Sequence, residues 1–199
     1  MTDDLVRRAY ASRAAEYTAL LGSVEDLHEL DRQRIGRWAA GITGPVLDAG
    51  CGPGQWTDFL HRRGNEVSGI DLVPEFVDDA RIRFPDVAFR VASLREPDVP
   101  DHSLGGIVAW YSLIHLRPKE LPQVLAGFAR ALTPGGHLLV GFFDGASGEP
   151  FDHAITPARY WSTGHFSLLL DDAGFEVLDI ETRQDDGARP HASMFAIAR

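Results

Sequence analysis

The sequence has 199 residues, of which 44% are hydrophobic and 24% charged, a balance typical of one soluble globular domain with a full core. Its formal net charge of -10 disfavours binding to nucleic acid or to an anionic membrane surface, because both need a basic protein surface. The single cysteine, Cys51, excludes an intramolecular disulfide and a cysteine-rich zinc site.

The chain carries no segment that predicts secretion or membrane insertion. Met1-Thr2-Asp3-Asp4 is acidic where a secretory signal is basic, and no apolar run approaches the roughly 20 residues of a membrane span. Together with the lone cysteine, these features predict a cytoplasmic protein.

Residues 3–40 predict two helices separated by a break at Gly22-Ser23, with Ser23 as the N-cap of the second helix. Apolar residues recur at helical spacing in both, namely Leu5, Ala9, Tyr10, Ala14, Tyr17 and Leu21 in the first and Leu27, Leu30, Ile35 and Trp38 in the second. The segment from Gly41 to Pro45 ends the second helix.

A short apolar strand then leads into Asp48-Ala49-Gly50-Cys51-Gly52-Pro53-Gly54, a glycine loop followed by the start of a helix. Glycine allows positive φ and lets a ligand lie against the backbone, while the helix start offers unpaired N–H groups. A dinucleotide fingerprint, Gly-x-Gly-x-x-Gly, would need its third glycine where this chain has Gln55. This spacing counts against an NAD-dependent oxidoreductase, which remains the weaker alternative.

Strands and helices alternate after the loop. We expect helices over 55–63, from 74 onwards, over 118–132 and over 162–173, and strands over 66–70, 87–91, 107–111, 137–143, 175–181 and 192–198. Alternation predicts a parallel α/β sheet covered on both faces by right-handed crossovers. Only a loop, 182–191, joins the last two strands, so the sheet should end with a reversed strand.

The glycine spacing, Asp48 before the loop and Asp71 about 20 residues later resemble motif I and its partner acid in class I S-adenosylmethionine (SAM)-dependent methyltransferases. The resemblance is closest to small bacterial-type metabolite methyltransferase domains and is strong from Val46 to Phe143. It implies a Rossmann-like, three-layer α/β sandwich with a seven-stranded, mostly parallel sheet whose last strand is antiparallel. A single domain, 1–199, would comprise N-terminal cap helices (1–44), a SAM-binding core (45–143) and a substrate-facing insertion with the C-terminal strands (144–199).

The resemblance also implies SAM as cofactor and S-adenosylhomocysteine (SAH) as product. The glycines would approach the methionine part, Asp48 would help hold its amino group, Asp71 would bind both ribose hydroxyls and Leu72 would pack on adenine. Ser93 stands where the family often has an acid that bonds the adenine amino group, so its contact would be weaker. The implied cofactor-binding residues are Tyr17, Asp48, Gly50, Cys51, Gly52, Gly54, Trp56, Asp71, Leu72, Ser93, Leu94 and Tyr111.

The sequence predicts less about the site of the methyl acceptor than about the cofactor site. His115 is the best-placed titratable group for catalysis, although a structural hydrogen-bonding role is equally compatible with its position. Aromatic and histidine residues after the fifth strand predict a partly apolar pocket for a small-molecule acceptor: Phe142, Phe143, His153, Tyr160, Trp161 and His165. Histidine spacing predicts no metal. A non-catalytic SAM-binding module remains an alternative. The sequence is compatible with a monomer or a homodimer.

Overall fold

The computed structural model describes residues 3–199. In chain order its elements are α1 (Asp3–Ala11), α2 (Ala14–Leu21), a 3-10 turn (Val24–Asp26), α3 (Glu29–Ala39), β1 (Val46–Ala49), α4 (Gln55–Arg62), β2 (Val67–Asp71), α5 (Pro74–Arg83), β3 (Ala88–Val91), β4 (Leu104–Trp110), α6 (Leu121–Ala131), β5 (Leu132–Phe143), β6 (Pro150–Phe151), β7 (Ala158–Arg159), α7 (Thr163–Asp172), β8 (Phe175–Arg183) and β9 (His191–Ala198).

Seven strands form one sheet in the order β3-β2-β1-β4-β5-β9-β8. Strand β1 pairs in parallel with β2 and β4, whereas β9 is antiparallel to both β5 and β8. The reversal follows from the short connection between β8 and β9, which cannot make a crossover. Strands β6 and β7 form a separate two-stranded ribbon.

Helices cover both faces of the sheet. Neighbouring residues of each central strand point to opposite sides, and the apolar side chains on each side pack against helices. Ile107 belongs to a core cluster that contains Phe128 of α6 and Phe166 of α7. The next residue, Val108, belongs to the opposite cluster with Trp38 of α3. The predicted fold class, a three-layer α/β sandwich with a seven-stranded and mostly parallel sheet, is therefore confirmed.

The N-terminal prediction is wrong in two details. The first predicted helix is two helices, α1 and α2, with a break at Ser12 and Arg13. Ser23 caps no helix, because its hydroxyl donates to the Glu25 carboxylate and a single 3-10 turn follows it. The next α-helix begins only at Glu29, where the Nδ1 atom of His28 accepts a hydrogen bond from the Leu30 N–H at 3.1 Å.

Two central strands begin earlier than predicted. Strand β4 starts at Leu104. Its second residue, Gly105, lies so close to the Thr43 carbonyl oxygen that an added Cβ would be 1.9 Å from it, so this position has no room for a side chain. Strand β5 starts at Leu132, and its residues 133–136 form an irregularity in the pairing with β4. Within residues 3–199 no helix is both long and apolar enough to cross a membrane.

Candidate active site

A cavity of about 530 Å³ opens at the carboxyl ends of β1, β2 and β4. Strand order reverses between β1 and β4, which is where ligands bind in open α/β sheets. Residues of α1, α2 and the segment 153–155 border the cavity on the other side. Its volume is within the range of small-molecule sites, roughly 300–1,000 Å³.

Nearly all of the predicted site residues border this cavity: Tyr17, Asp48, Gly50, Cys51, Gly52, Trp56, Asp71, Leu72, Ser93, Leu94, Tyr111 and His115. Gly54 does not border it. Its φ is +87°, and an added Cβ would lie 2.8 Å from the Phe89 ring and 2.9 Å from Ala80. Gly54 therefore allows α4 to begin in close contact with α5 and β3.

Backbone hydrogen bonds anchor the glycine loop to the neighbouring strand, β2. The N–H groups of Gly50 and Cys51 both donate to the Ile70 carbonyl, at 2.8 and 2.9 Å. Gly50 has a φ of +86°, and an added Cβ would clash with Ser112. Gly52 has a φ of +53°, but an added Cβ would meet no protein atom within 4 Å. Gly50 thus serves packing, whereas Gly52 leaves open space beside the cavity.

Asp71 joins this loop to the end of β2. Its Oδ2 atom accepts from the Gly52 N–H at 2.8 Å and its Oδ1 atom accepts from the Val73 N–H at 2.9 Å. Burial raises the pKa of the Asp71 carboxyl, and these two backbone bonds oppose that rise. Each oxygen keeps one further lone pair, so the carboxylate can accept two more hydrogen bonds.

Two buried acceptor groups lie beside the loop. Asp48 is 2% exposed and accepts from the Thr57 hydroxyl at 2.7 Å, and burial raises its pKa to about 7. The Oε1 atom of Gln55 is buried and has no hydrogen-bond partner among residues 3–199. An unpartnered buried acceptor is costly, so this corner of the cavity is suited to a ligand that donates hydrogen bonds or carries positive charge.

A tyrosine–histidine pair lies at the other end of the cavity. The Tyr10 hydroxyl is 2.8 Å from Nε2 of His115, whose Nδ1 atom is 3.0 Å from the Pro157 carbonyl. Because a carbonyl only accepts, Nδ1 carries the proton and Tyr10 donates to Nε2. Burial lowers the pKa of His115, which favours this neutral form near pH 7.

A second pair follows β4. Tyr111 has a φ of +54°, a strained conformation for an aromatic residue, and its hydroxyl lies 2.6 Å from Nδ1 of His191. Its ring also packs on Phe143, with 5.1 Å between centroids. Tyr111 therefore leaves the strand in a conformation that the pairing with His191 and the contact with Phe143 help to hold.

The predicted aromatic insertion is only partly at the site. Phe143 and His153 border the cavity, and burial lowers the pKa of His153 to about 4. Phe142 is buried in the core and stacks on Phe166 at 4.6 Å. Trp161 is also in the core, and neither Tyr160 nor His165 borders the cavity.

Most charged side chains around the cavity are in ion pairs, but Asp48 and Asp71 bond only uncharged groups. Arg13 bonds Glu16, Arg95 bonds Asp3, and Asp31 bonds Arg183. The cavity therefore offers no arginine free of a carboxylate partner, and its borders contain no lysine. Among residues 3–199 no three His, Cys, Asp or Glu side chains are grouped so that they could hold a metal ion.

Comparison with known proteins agrees with this geometry. A family model described as a methyltransferase domain matches residues 46–136. A "Probable S-adenosylmethionine-dependent methyltransferase" of Mycolicibacterium smegmatis is 33% identical over 76% of this chain and 59% of its own length. The chain belongs to the class I SAM-dependent methyltransferases. The sequence-based family assignment is thus confirmed, and with it SAM as the cofactor of the family.

Solved structures share the fold at low sequence identity. The Burkholderia thailandensis 1,6-didemethyltoxoflavin-N1-methyltransferase, solved with its substrate and SAH, has a TM-score of 0.78 at 22% identity, over 100% of this chain and 91% of that one. The [4+2]-cyclase SpnF has a TM-score of 0.83 at 18% identity, over 100% and 97%. The chain spans about half to three fifths of the length of the curated methyltransferase relatives that it matches first.

Several residues that border the cavity were not predicted from the sequence. Gln55 could have been found, because it is a polar residue at the first position of the helix that follows the glycine loop. No motif in the neighbouring sequence predicts that Asp3, Arg95 and His191 lie at the cavity. They reach the cavity only because α1, the segment after β3 and the start of β9 meet there.

Proposed function

We propose that this chain transfers a methyl group from SAM to an uncharged small molecule. The observation that carries the proposal is that a single cavity contains the glycine loop with its buried acceptors at one end and the Tyr10–His115 pair at the other. Segment 1–44 would act as the cap over this cavity, 45–143 as the cofactor core and 144–199 as the acceptor-side unit.

The residues of the glycine-loop end fit SAM. Asp48 and the unpartnered Oε1 of Gln55 would hold the amino group of its methionine part, which supplies both hydrogens and positive charge. The two remaining lone pairs of Asp71 suit the two ribose hydroxyls. The open space at Gly52 admits the ligand against the backbone. Bound there, SAM supplies a methyl group on a sulfonium leaving group.

The acceptor would be neutral and partly aromatic. Both arginines at the cavity have carboxylate partners, so neither is free to neutralise a phosphate or carboxylate of an acceptor. The other end of the cavity is bordered by aromatic rings that offer flat apolar contact, including those of Phe143, Tyr111 and His153. Their arrangement would orient the acceptor and exclude water, which is most of what transfer to a good nucleophile requires.

For a hydroxyl acceptor, Tyr10 and His115 would remove the proton together. The Tyr10 oxygen would accept the acceptor's proton while its own proton passes to Nε2 of His115, and the acceptor oxygen forms the new bond to the methyl carbon. The pair is poised for this because His115 is neutral and its Nε2 already accepts from Tyr10. An amine or thiolate acceptor would not need the pair.

The test is a screen of neutral metabolites with methyl-labelled SAM, preceded by thermal shifts with SAH and with NAD. A ligand selective for the native state raises the unfolding temperature, so we expect a rise with SAH and none with NAD. Label in the methylated product of a neutral acceptor supports the proposal. Stabilisation by SAH with no labelled product would instead support a SAM-binding protein that does not transfer methyl groups. Fold likeness does not decide between these, since a [4+2]-cyclase shares the fold.

A further inference from the structure

Three side chains near the end of β3 form a polar group, of which only Ser93 was expected to contact the cofactor. The Ser93 hydroxyl donates to Oδ2 of Asp3 at 2.7 Å, and Nε of Arg95 donates to Oδ1 of Asp3 at 2.9 Å. Asp3 belongs to α1, about 90 residues away in sequence, and all three residues border the cavity. The N-terminal helix thus brings a carboxylate to a position where the strand-end segment itself has only a serine.

One donor atom in this group is unused. Nη1 of Arg95 is buried and has no hydrogen-bond partner among residues 3–199, although Nη2 is 3.4 Å from Glu120. The Asp3 oxygens keep one lone pair each after accepting from Ser93 and Arg95. The group therefore holds an anionic acceptor next to a buried, unpartnered cationic donor, and both residues border the cavity.

The position of this group along the sheet matches one end of the cofactor. If the glycine loop after β1 holds the methionine part and Asp71 at the end of β2 holds the ribose, the base extends toward the next strand, β3. Adjacent strands are about 4.8 Å apart, so successive strand ends meet successive parts of an extended ligand. Adenine offers a donor, its amino group, next to an acceptor, its ring nitrogen.

We propose that Asp3 and Arg95 recognise the adenine of the cofactor, with Asp3 accepting from the amino group and Nη1 of Arg95 donating to the adjacent ring nitrogen. This inference rests on the proposed function, since it takes SAM as the ligand. It makes α1 a part of the cofactor site: no residue of α1 is buried, so a bond from Asp3 to the base would add to the contacts that hold this helix.

The test measures calorimetric affinities for SAH and for S-inosylhomocysteine, whose base reverses the donor and acceptor positions. Variant Asp3→Asn removes the charge and replaces one acceptor oxygen by a donor. Variant Asp4→Asn is the matched control, because Asp4 lies in the same helical turn and pairs only with Arg7 at the exposed surface. Folding of each variant is checked by its unfolding temperature.

We expect the native protein to prefer SAH by about 100-fold, and Asp3→Asn to lower SAH affinity about tenfold and to reduce the preference. Asp4→Asn should stay within about twofold of the native protein. SAH should also slow hydrogen exchange of the α1 amides in the native protein and less so in Asp3→Asn. Identical affinities and preferences for the two variants would overturn the role of Asp3 while leaving SAM binding intact. Absence of SAH binding by the native protein would overturn both this inference and the proposed function.

Discussion

The two ends of the cavity are built in different ways. The glycine-loop end is formed by backbone groups and side chains of one short segment, 48–57, joined to Asp71 at the end of the neighbouring strand. The other end is formed by side chains that are far apart in sequence: Tyr10 bonds His115 across 105 positions and Tyr111 bonds His191 across 80. Backbone contacts survive most substitutions, whereas side-chain pairs do not.

This difference indicates how the two ends should respond to mutation. Backbone hydrogen bonds and positive φ values make the glycine-loop end sensitive mainly to added volume or to changes at its few carboxylates. Substitutions at the acceptor end should leave the protein folded but reduce its activity. Each side-chain pair there contributes one contact for proton transfer or for orientation of the acceptor. The predictions below test this contrast, from the largest effect to the smallest.

We expect Gly52→Ala to abolish measurable SAH binding, because its new methyl group would enter the open space beside the cavity. The matched control is Gly64→Ala, since Gly64 also has positive φ and open space around an added Cβ but does not border the cavity. Both variants should lose roughly 1–2 kcal/mol of stability to backbone strain. Calorimetry with SAH separates them, and equal binding by the two variants would contradict the assignment of the loop.

We expect Tyr10→Phe and His115→Gln each to lower kcat about 100-fold on a hydroxyl acceptor while leaving SAH affinity unchanged. Tyr160→Phe is the control, because Tyr160 does not border the cavity. Burial lowers the pKa of His115 below its ordinary value, so the neutral base is lost only on the acidic side of that value. The native kcat should therefore fall on that acidic side, and this limb should vanish in His115→Gln. An unaltered pH profile would show that the pair is structural.

We expect Asp71→Ala to weaken SAH binding by about 1.5–3 kcal/mol, the range for hydrogen bonds to a charged group. Because Asp71 also holds the Gly52 and Val73 amides, a SAH analogue without the 2′-hydroxyl isolates the ribose contact. The native protein should bind this analogue more weakly than SAH, and Asp71→Ala should bind both equally. Asp78→Ala, at an exposed site on α5, serves as the control. A persistent preference for SAH in Asp71→Ala would refute the ribose role.

We expect Asp48→Asn to stabilise the ligand-free protein by about 1–2 kcal/mol at pH 7, while weakening SAH binding. The folded pKa of Asp48, about 7, lies above its ordinary value of 3.8, so the native protein loses stability as pH rises between these values. The difference in unfolding temperature between variant and native protein should thus be near zero at pH 4 and largest above pH 7. A variant less stable than the native protein at pH 7 would show that the charge of Asp48 is compensated without ligand.

The sequence alone was sufficient to predict the strand–glycine loop–helix motif and the central strands of the sheet. Glycine spacing, the strand before it and the helix after it are encoded within a dozen residues, and the hydrophobic character of β1, β4 and β5 indicates central strands without knowledge of their neighbours. The helix N-cap at His28 was missed because Ser23 is the stronger capping residue by type, yet its hydroxyl bonds Glu25 instead.

Packing of the aromatic residues could not be read from the chain. Phe142 and Phe143 are adjacent, but strand alternation buries the first against Phe166 and turns the second toward the cavity. The same reasoning applies to Trp161, which was predicted to line the pocket because it is aromatic, but which is buried in the core. Side-chain direction depends on strand register, and a one-residue change of register would exchange these roles.

What the sequence determined by itself is therefore the cofactor end: a strand, a glycine loop and a helix start are local structures, set by φ preferences and hydrophobic periodicity over a few residues. Only the tertiary structure decided which distant side chains complete the cavity, including the contact of Asp3 with Ser93 and the pairing of Tyr10 with His115. Such contacts depend on how helices and strands far apart in the chain are packed, and packing is determined by the whole core, not by any one segment.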